Sequence, residues 1–174
     1  GILGVGAIGG RVAKMATHGF GMHVRGYSRS GTTLDGLIES VGLDELFATS
    51  DAVVISCPLT DETRGIVNTH LISLMRPHSV LINISRGPVV KTDALVEALN
   101  AKKIGGAALD VFDVQPLPVT DPLLACPNLL LTPHVAGITA TSGHAMSVGA
   151  AEEMLRILRG ERPINLVNPA IYSD

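Results

Sequence analysis

Short aliphatic runs alternate along the chain with longer segments whose apolar residues recur at helical spacing. Ile2–Val5 precedes Ile8–Thr17, Met22–Tyr27 precedes Thr33–Ser40, and Ala52–Cys57 precedes a polar turn and then Asn68–Met75. Val80–Ile84 is followed by Asp93–Leu99, Ile104–Leu109 by a proline-rich loop, and Leu129–Leu131 by a long final helix. Aliphatic runs of strand length alternating with helices predict right-handed β-α-β crossovers and a parallel sheet of about six strands. Gly, Ser, Asp and Pro at the strand ends supply the turn chemistry such a chain needs. The expected class is α/β, a doubly wound parallel sheet with helices on both faces.

The final helix, expected over Ala140–Arg159, places Ala150, Met154, Ile157 and Leu158 on one stripe, away from Glu152, Glu153, Arg156 and Arg159. Gly160 suits its C-terminal cap. Glu161–Asp174 has two prolines and no periodicity, and reads as a strap. The chain also opens on Gly1-Ile2-Leu3-Gly4, already inside a strand pattern and without Met. These features predict a piece of a longer protein. Residues 1–142 form one domain, and residues 143–174 are a crossover helix and tail leading back to a second domain outside this chain.

Composition narrows the function classes. With 46% apolar residues and only 3% aromatics, the core must be built from Val, Ile, Leu and Ala, which suits buried parallel strands. A net charge of −3 without a basic cluster argues against nucleic acid. No apolar run has bilayer-spanning length and no secretory signal is visible, so the expected location is cytoplasmic, without a membrane partner. Cys57 and Cys126 lie far apart in no CxxC pairing, as expected of reduced thiols. No His, Cys or acidic group has metal-ligand spacing, so no metal is expected.

The most informative motif is Gly4-Val5-Gly6-Ala7-Ile8-Gly9, a GxGxxG between a strand and a helix. Gly4 permits the tight turn, Gly6 lets backbone approach a pyrophosphate, and Gly9 lets helix pack close to strand. The helix beginning at Ala7 and Ile8 then offers free N–H groups and a positive dipole end to the anion. Within this alternating pattern the motif predicts a Rossmann dinucleotide-binding domain. The second strand ends Ser28-Arg29-Ser30, where NAD-binding folds carry an acid for the ribose hydroxyls. An acid would repel a 2′-phosphate, whereas Arg29 can grip it and Ser28 and Ser30 can donate to it. NADP is therefore expected in preference to NAD.

Four further segments complete the picture: Cys57-Pro58-Leu59-Thr60, Asn83-Ile84-Ser85-Arg86-Gly87, Ala108-Leu109-Asp110-Val111-Phe112 and Thr132-Pro133-His134-Val135-Ala136-Gly137. With the glycine turn, in this order and spacing, they resemble the D-2-hydroxyacid dehydrogenase family along essentially the whole chain. The Ser-Arg-Ser turn looks most like the glyoxylate and hydroxypyruvate reductase branch. The resemblance implies hydride transfer between NAD(P)H and a small 2-oxo or 2-hydroxy acid. It also implies a substrate domain built from both chain ends, and a homodimer formed largely by this domain.

The resemblance assigns roles residue by residue. Arg86, at a strand end, holds the substrate carboxylate with its planar guanidinium and polarises the adjacent carbonyl. His134, just past the last strand, exchanges the proton that accompanies hydride transfer. Asp110 contacts the nicotinamide amide. Cys57, Pro58, Thr63, Ile84 and Ser85, with Arg86, His134, Ala136 and Gly137, line the cofactor; Cys57 is assigned packing because hydride transfer needs no nucleophile. One departure from the family pattern matters, beside the lesser one of Ala7 where many members carry Arg. Gln115, before Pro116, stands where members usually carry the Glu that pairs with the catalytic histidine. Formate dehydrogenases of the same family carry Gln there, so formate oxidation stays open, as does a non-catalytic nucleotide-sensing corepressor.

Overall fold

The computed structural model describes residues 1–29, 31 and 33–172, so Ser30 lies outside the described residues. Among these, two compact units separate at Gly137: Gly1–Ala136 and Gly137–Asp174.

The first unit is a parallel sheet of seven strands. In chain order they are β1 (Ile2–Leu3), β2 (Arg25–Tyr27), β3 (Glu39–Ser40), β4 (Ala52–Ile55), β5 (Val80–Asn83), β6 (Gly106–Leu109) and β7 (Leu129–Leu131). Their spatial order is β3-β2-β1-β4-β5-β6-β7. The winding direction reverses between β1 and β4, and open α/β sheets bind ligands at the carboxyl ends of strands flanking such a reversal. Four helices connect them: α1 (Ala7–Phe20), α2 (Leu43–Thr49), α3 (Thr69–Leu74) and α4 (Thr92–Asn100).

Strand alternation sorts the core onto two faces. Ile2 packs with Val5, Ala13, Val24 and Ile38 under α1. Its neighbour Leu3 joins the larger cluster with Leu46, Phe47, Val53, Ile55, Leu81 and Leu95, covered by α2, α3 and α4. With Trp absent and Phe rare, these branched aliphatics fill the space between sheet and helices.

One expected helix is replaced. Residues 33–40 form turns ending in β3, because Leu34, Asp35 and Gly36 all take positive φ (49°, 57° and 85°), which a right-handed helix does not admit. The helix comes later, at α2, with Asp44 and Glu45 in its first turn and Leu46 and Phe47 fully buried. β3 is the strand beyond the six expected.

The second unit carries α5 (Ala140–Leu158) and a tail. Thr139 caps α5 in a reciprocal box: its hydroxyl accepts from Ser142 N at 3.0 Å, and Ser142 Oγ accepts from Thr139 N at 2.8 Å. Glu153 holds the tail by accepting from Ile164 N (2.9 Å) and from Asn165 Nδ2 (2.7 Å). Met154, Ile157 and Leu158 of the apolar stripe are exposed. Among the described residues, no helix is long and apolar enough to cross a membrane.

Candidate active site

The glycine turn joins β1 to α1. Gly4 takes φ +97°, and a Cβ there would lie 2.5 Å from Cys57 N; a Cβ on Gly9 would lie 2.2 Å from Gly4 O. At Gly6 a Cβ would meet nothing within 4 Å. The turn is therefore closed toward the sheet and open toward the ligand side. Gly4 N donates to Tyr27 O at 2.8 Å, and Ser56 Oγ donates to Gly4 O at 2.8 Å. Gly6 is the N-cap of α1, whose first turn carries no acidic side chain, so its N–H groups suit a pyrophosphate.

Two cavities flank the turn. The first, about 310 Å³, is lined by Gly4, Gly6, Ser28, Arg29, Pro58 and Thr63 among others. The second, about 600 Å³, is lined by Ala7, Ile8, Leu59, Ile84, Ser85 and Arg86. Ser56, Cys57 and Pro58 wall both. The donor set, the open face at Gly6 and this double cavity fit an extended dinucleotide.

Details of the first cavity refine the expectations. Thr63 is an internal clamp: its Oγ1 donates to Pro58 O at 2.6 Å and accepts from Thr60 N at 2.7 Å. Burial pushes the Cys57 thiol above its ordinary value, as befits packing. Although no acid ends β2, Glu62 reaches this cavity from the loop after β4. Its carboxyl is held below the usual range, first by the Thr60 hydroxyl and in smaller part by the charge of Arg29.

Further candidates follow β5, β6 and β7 at the same carboxyl edge of the sheet. Arg86 is exposed after β5, with one guanidinium nitrogen donating to Ser85 O at 2.7 Å. His134 follows β7 in a left-handed backbone conformation (φ +59°). Its Nδ1 lies 3.0 Å from Gln115 Oε1. Because an amide oxygen only accepts, this pairing places a hydrogen on Nδ1 and makes Nε2 the acceptor nitrogen of the neutral ring.

Asp110 organises that loop. Buried after β6, it accepts from Thr132 Oγ1 (2.6 Å), Val135 N (2.8 Å) and Ala136 N (2.9 Å). Burial works to raise its pKa, but these three donors, with smaller help from His134, outweigh it and hold the carboxyl below its usual value. His134, Gln115, Asp110 and Ala136 line neither cavity. Gly137 falls in the second unit. The sequence reading gives Ser56, Thr132 and Asn83 no role of their own; of the three only Asn83, followed two residues later by Ser at a strand end, carries a recognisable local signal.

A depressed carboxylate stabilises fully above its unfolded pKa and loses that contribution as pH falls through the folded value. Stability of the wild type should therefore decline below about pH 4. Asp110→Asn should cost about 1.5–3 kcal/mol at neutral pH, since the amide cannot serve all three donors. It should also flatten the acid limb. Thermal denaturation across pH checks both; a variant with the wild-type acid profile would exclude this role.

The fold, the glycine turn and the double cavity define a dinucleotide-binding domain of the NAD(P) type. Residues 1–136 match the family model described as D-isomer specific 2-hydroxyacid dehydrogenase, NAD binding domain, and the chain belongs to that family. It is 40% identical over 176 residues to glyoxylate/hydroxypyruvate reductase B of Pectobacterium carotovorum, covering 98% of this chain and 54% of that protein. The chain thus spans about half the length of the curated relatives it matches. A D-isomer specific 2-hydroxyacid dehydrogenase from Xanthobacter autotrophicus, solved with NADPH and MES, superposes with a TM-score of 0.82 at 39% identity, covering 98% of this chain and 70% of that one. The NAD-complexed family member from Lactobacillus delbrueckii gives 0.86 at 29% identity, covering 96% and 55%. Among the described residues, no group of three His, Cys, Asp or Glu could hold a metal ion.

Proposed function

We propose that the protein containing this chain reduces a small 2-oxo acid, such as glyoxylate or hydroxypyruvate, with NADPH preferred. The observation that carries this reading is the pair of side chains at one sheet edge: Arg86 after β5, and His134 after β7 with Gln115 on its Nδ1. A reduced nicotinamide, when bound, supplies the hydride. Arg86 holds the carboxylate of the acid by two parallel N–H donors and so fixes the neighbouring carbonyl. His134 delivers a proton from Nε2 to the carbonyl oxygen as it becomes the hydroxyl. In the reverse direction the same nitrogen takes it back. Asp110 and Gln115 keep the ring in place.

Ser85, Ile84 and Cys57 line the same cavity as Arg86, and Gly4, Gly6 and Gly9 form the pyrophosphate turn. Residues 143–174 lead from the domain of residues 1–142 to the substrate-holding half, and the whole is a cytoplasmic homodimer, both by family resemblance. Gln115 also admits formate oxidation, which releases carbon dioxide and needs no proton from His134. Purified full-length enzyme assayed with glyoxylate, hydroxypyruvate and formate separates the two. Turnover of formate, with none of any 2-oxo acid, would overturn the proposal.

Cofactor preference rests on Arg29, which lines the cavity below the end of β2. Arg29→Asp should raise the apparent KM for NADPH by about tenfold or more and favour NADH, as expected for one lost charge-assisted phosphate contact. A wild type that uses NADH better than NADPH would contradict it.

A further inference from the structure

Asn83 is the last residue of β5, and its side chain is among the most deeply buried polar groups, at 1% exposure. All the side chain's bonds go to Ser85 and Arg86. Oδ1 accepts from Ser85 N at 3.0 Å and from Ser85 Oγ at 2.9 Å, while Nδ2 donates to Arg86 O at 3.0 Å. One planar amide thus grips the backbone on both sides of Ser85 and fixes where Arg86 leaves the sheet. An Asn at a strand end that merely closed a turn would need only its oxygen.

The main chain of Asn83 ties this grip to the histidine side. Its carbonyl accepts from Asp110 N at 3.0 Å, and Asp110 is the residue that clamps Thr132–Ala136 around His134. Gly87 presses the same two loops together: a Cβ there would lie 2.0 Å from the carbonyl carbon of Phe112, in the loop that carries Gln115. Two buried polar side chains, joined by one backbone hydrogen bond, therefore frame the two groups that face the substrate.

We propose that Asn83 is a positioning residue for recognition of the substrate carboxylate, acting through the direction it imposes on Arg86. This rests on the role given to Arg86 above. The test uses full-length enzyme and two variants. Asn83→Ala removes every contact. Asn83→Asp keeps the acceptor for Ser85, loses the donor to Arg86 O, and sets a carboxylate oxygen against that carbonyl.

Three readouts are taken: KM and kcat for glyoxylate, Kd for NADPH by fluorescence, and amide hydrogen exchange at Ser85–Gly87. Both variants should raise the glyoxylate KM by about tenfold or more, since each leaves buried polar groups without partners. NADPH binding should weaken by much less than the glyoxylate KM rises, and kcat should fall less than KM rises. Exchange at Ser85–Gly87 should quicken in Asn83→Ala. If that variant does not fold, the KM-to-Kd split in Asn83→Asp decides. A parallel weakening of glyoxylate and NADPH, or an unchanged glyoxylate KM, would overturn the assignment in favour of a merely structural residue. A wild type without 2-oxo acid reduction would count against the proposed function instead, and unchanged exchange in Asn83→Ala would then dispose of the Asn83 grip independently.

Discussion

Replacing His134 by asparagine should lower kcat for 2-oxo acid reduction by about 10²–10⁴-fold, the usual contribution of a positioned proton donor. Asparagine is the informative choice for two reasons. It adopts left-handed backbone as readily as histidine, so the φ of +59° at this position is not the source of the loss. It also keeps a polar side chain without a proton to exchange near neutral pH. NADPH binding should change by no more than a few-fold, because His134 lines neither cavity beside the glycine turn. Steady-state kinetics and cofactor titration of the full-length variant provide the check. Retention of more than a tenth of the activity would remove His134 from the reaction.

Arg86→Gln should have an effect of similar size that appears differently. Loss of a bidentate partner leaves the substrate carboxylate desolvated and unpaired, a penalty of about 3–5 kcal/mol, so kcat/KM should fall by roughly 10²–10³-fold or more. Much of that fall should lie in KM. Arg86→Lys should recover only part of it, because an ammonium offers a point charge where the guanidinium offers a fork. Equal kinetics for the lysine and glutamine variants would mean that the planar geometry is immaterial.

Much of this architecture was legible in the sequence because it rests on local signals. Buried parallel strands must be aliphatic runs, and a pyrophosphate turn must be glycine-rich, so β1, β4, β5, β6 and β7 and the turn at Gly4–Gly9 could be read directly. The stretch 33–40 could not. Its apolar spacing is compatible with a helix, and only the left-handed conformations at Leu34, Asp35 and Gly36 decide otherwise. The helix at Leu43–Thr49 was passed over although its N-terminal acids were visible. Motif position brought Arg86, His134 and Gln115 forward as candidates. The supporting contacts were hidden because most are tertiary: Ser56 bonds to Gly4, and Thr132 bonds to Asp110. Asn83 is the exception, since an Asn followed two residues later by Ser at a strand end is a local turn signal.

The strand order has a bearing on how such a domain can change over generations. Arg29 follows β2, on one side of the reversal between β1 and β4, while Arg86, Gln115 and His134 follow β5, β6 and β7 on the other. Among the described residues, no hydrogen bond or ion pair joins Arg29 to that second group. Substitutions at separate sites without shared partners act nearly independently. With the roles proposed above, the grip on the adenosine end can drift between coenzymes while the proton-handling end keeps its settings. Solved relatives of the same fold, one holding NADPH and another NAD, are what such a division of labour permits.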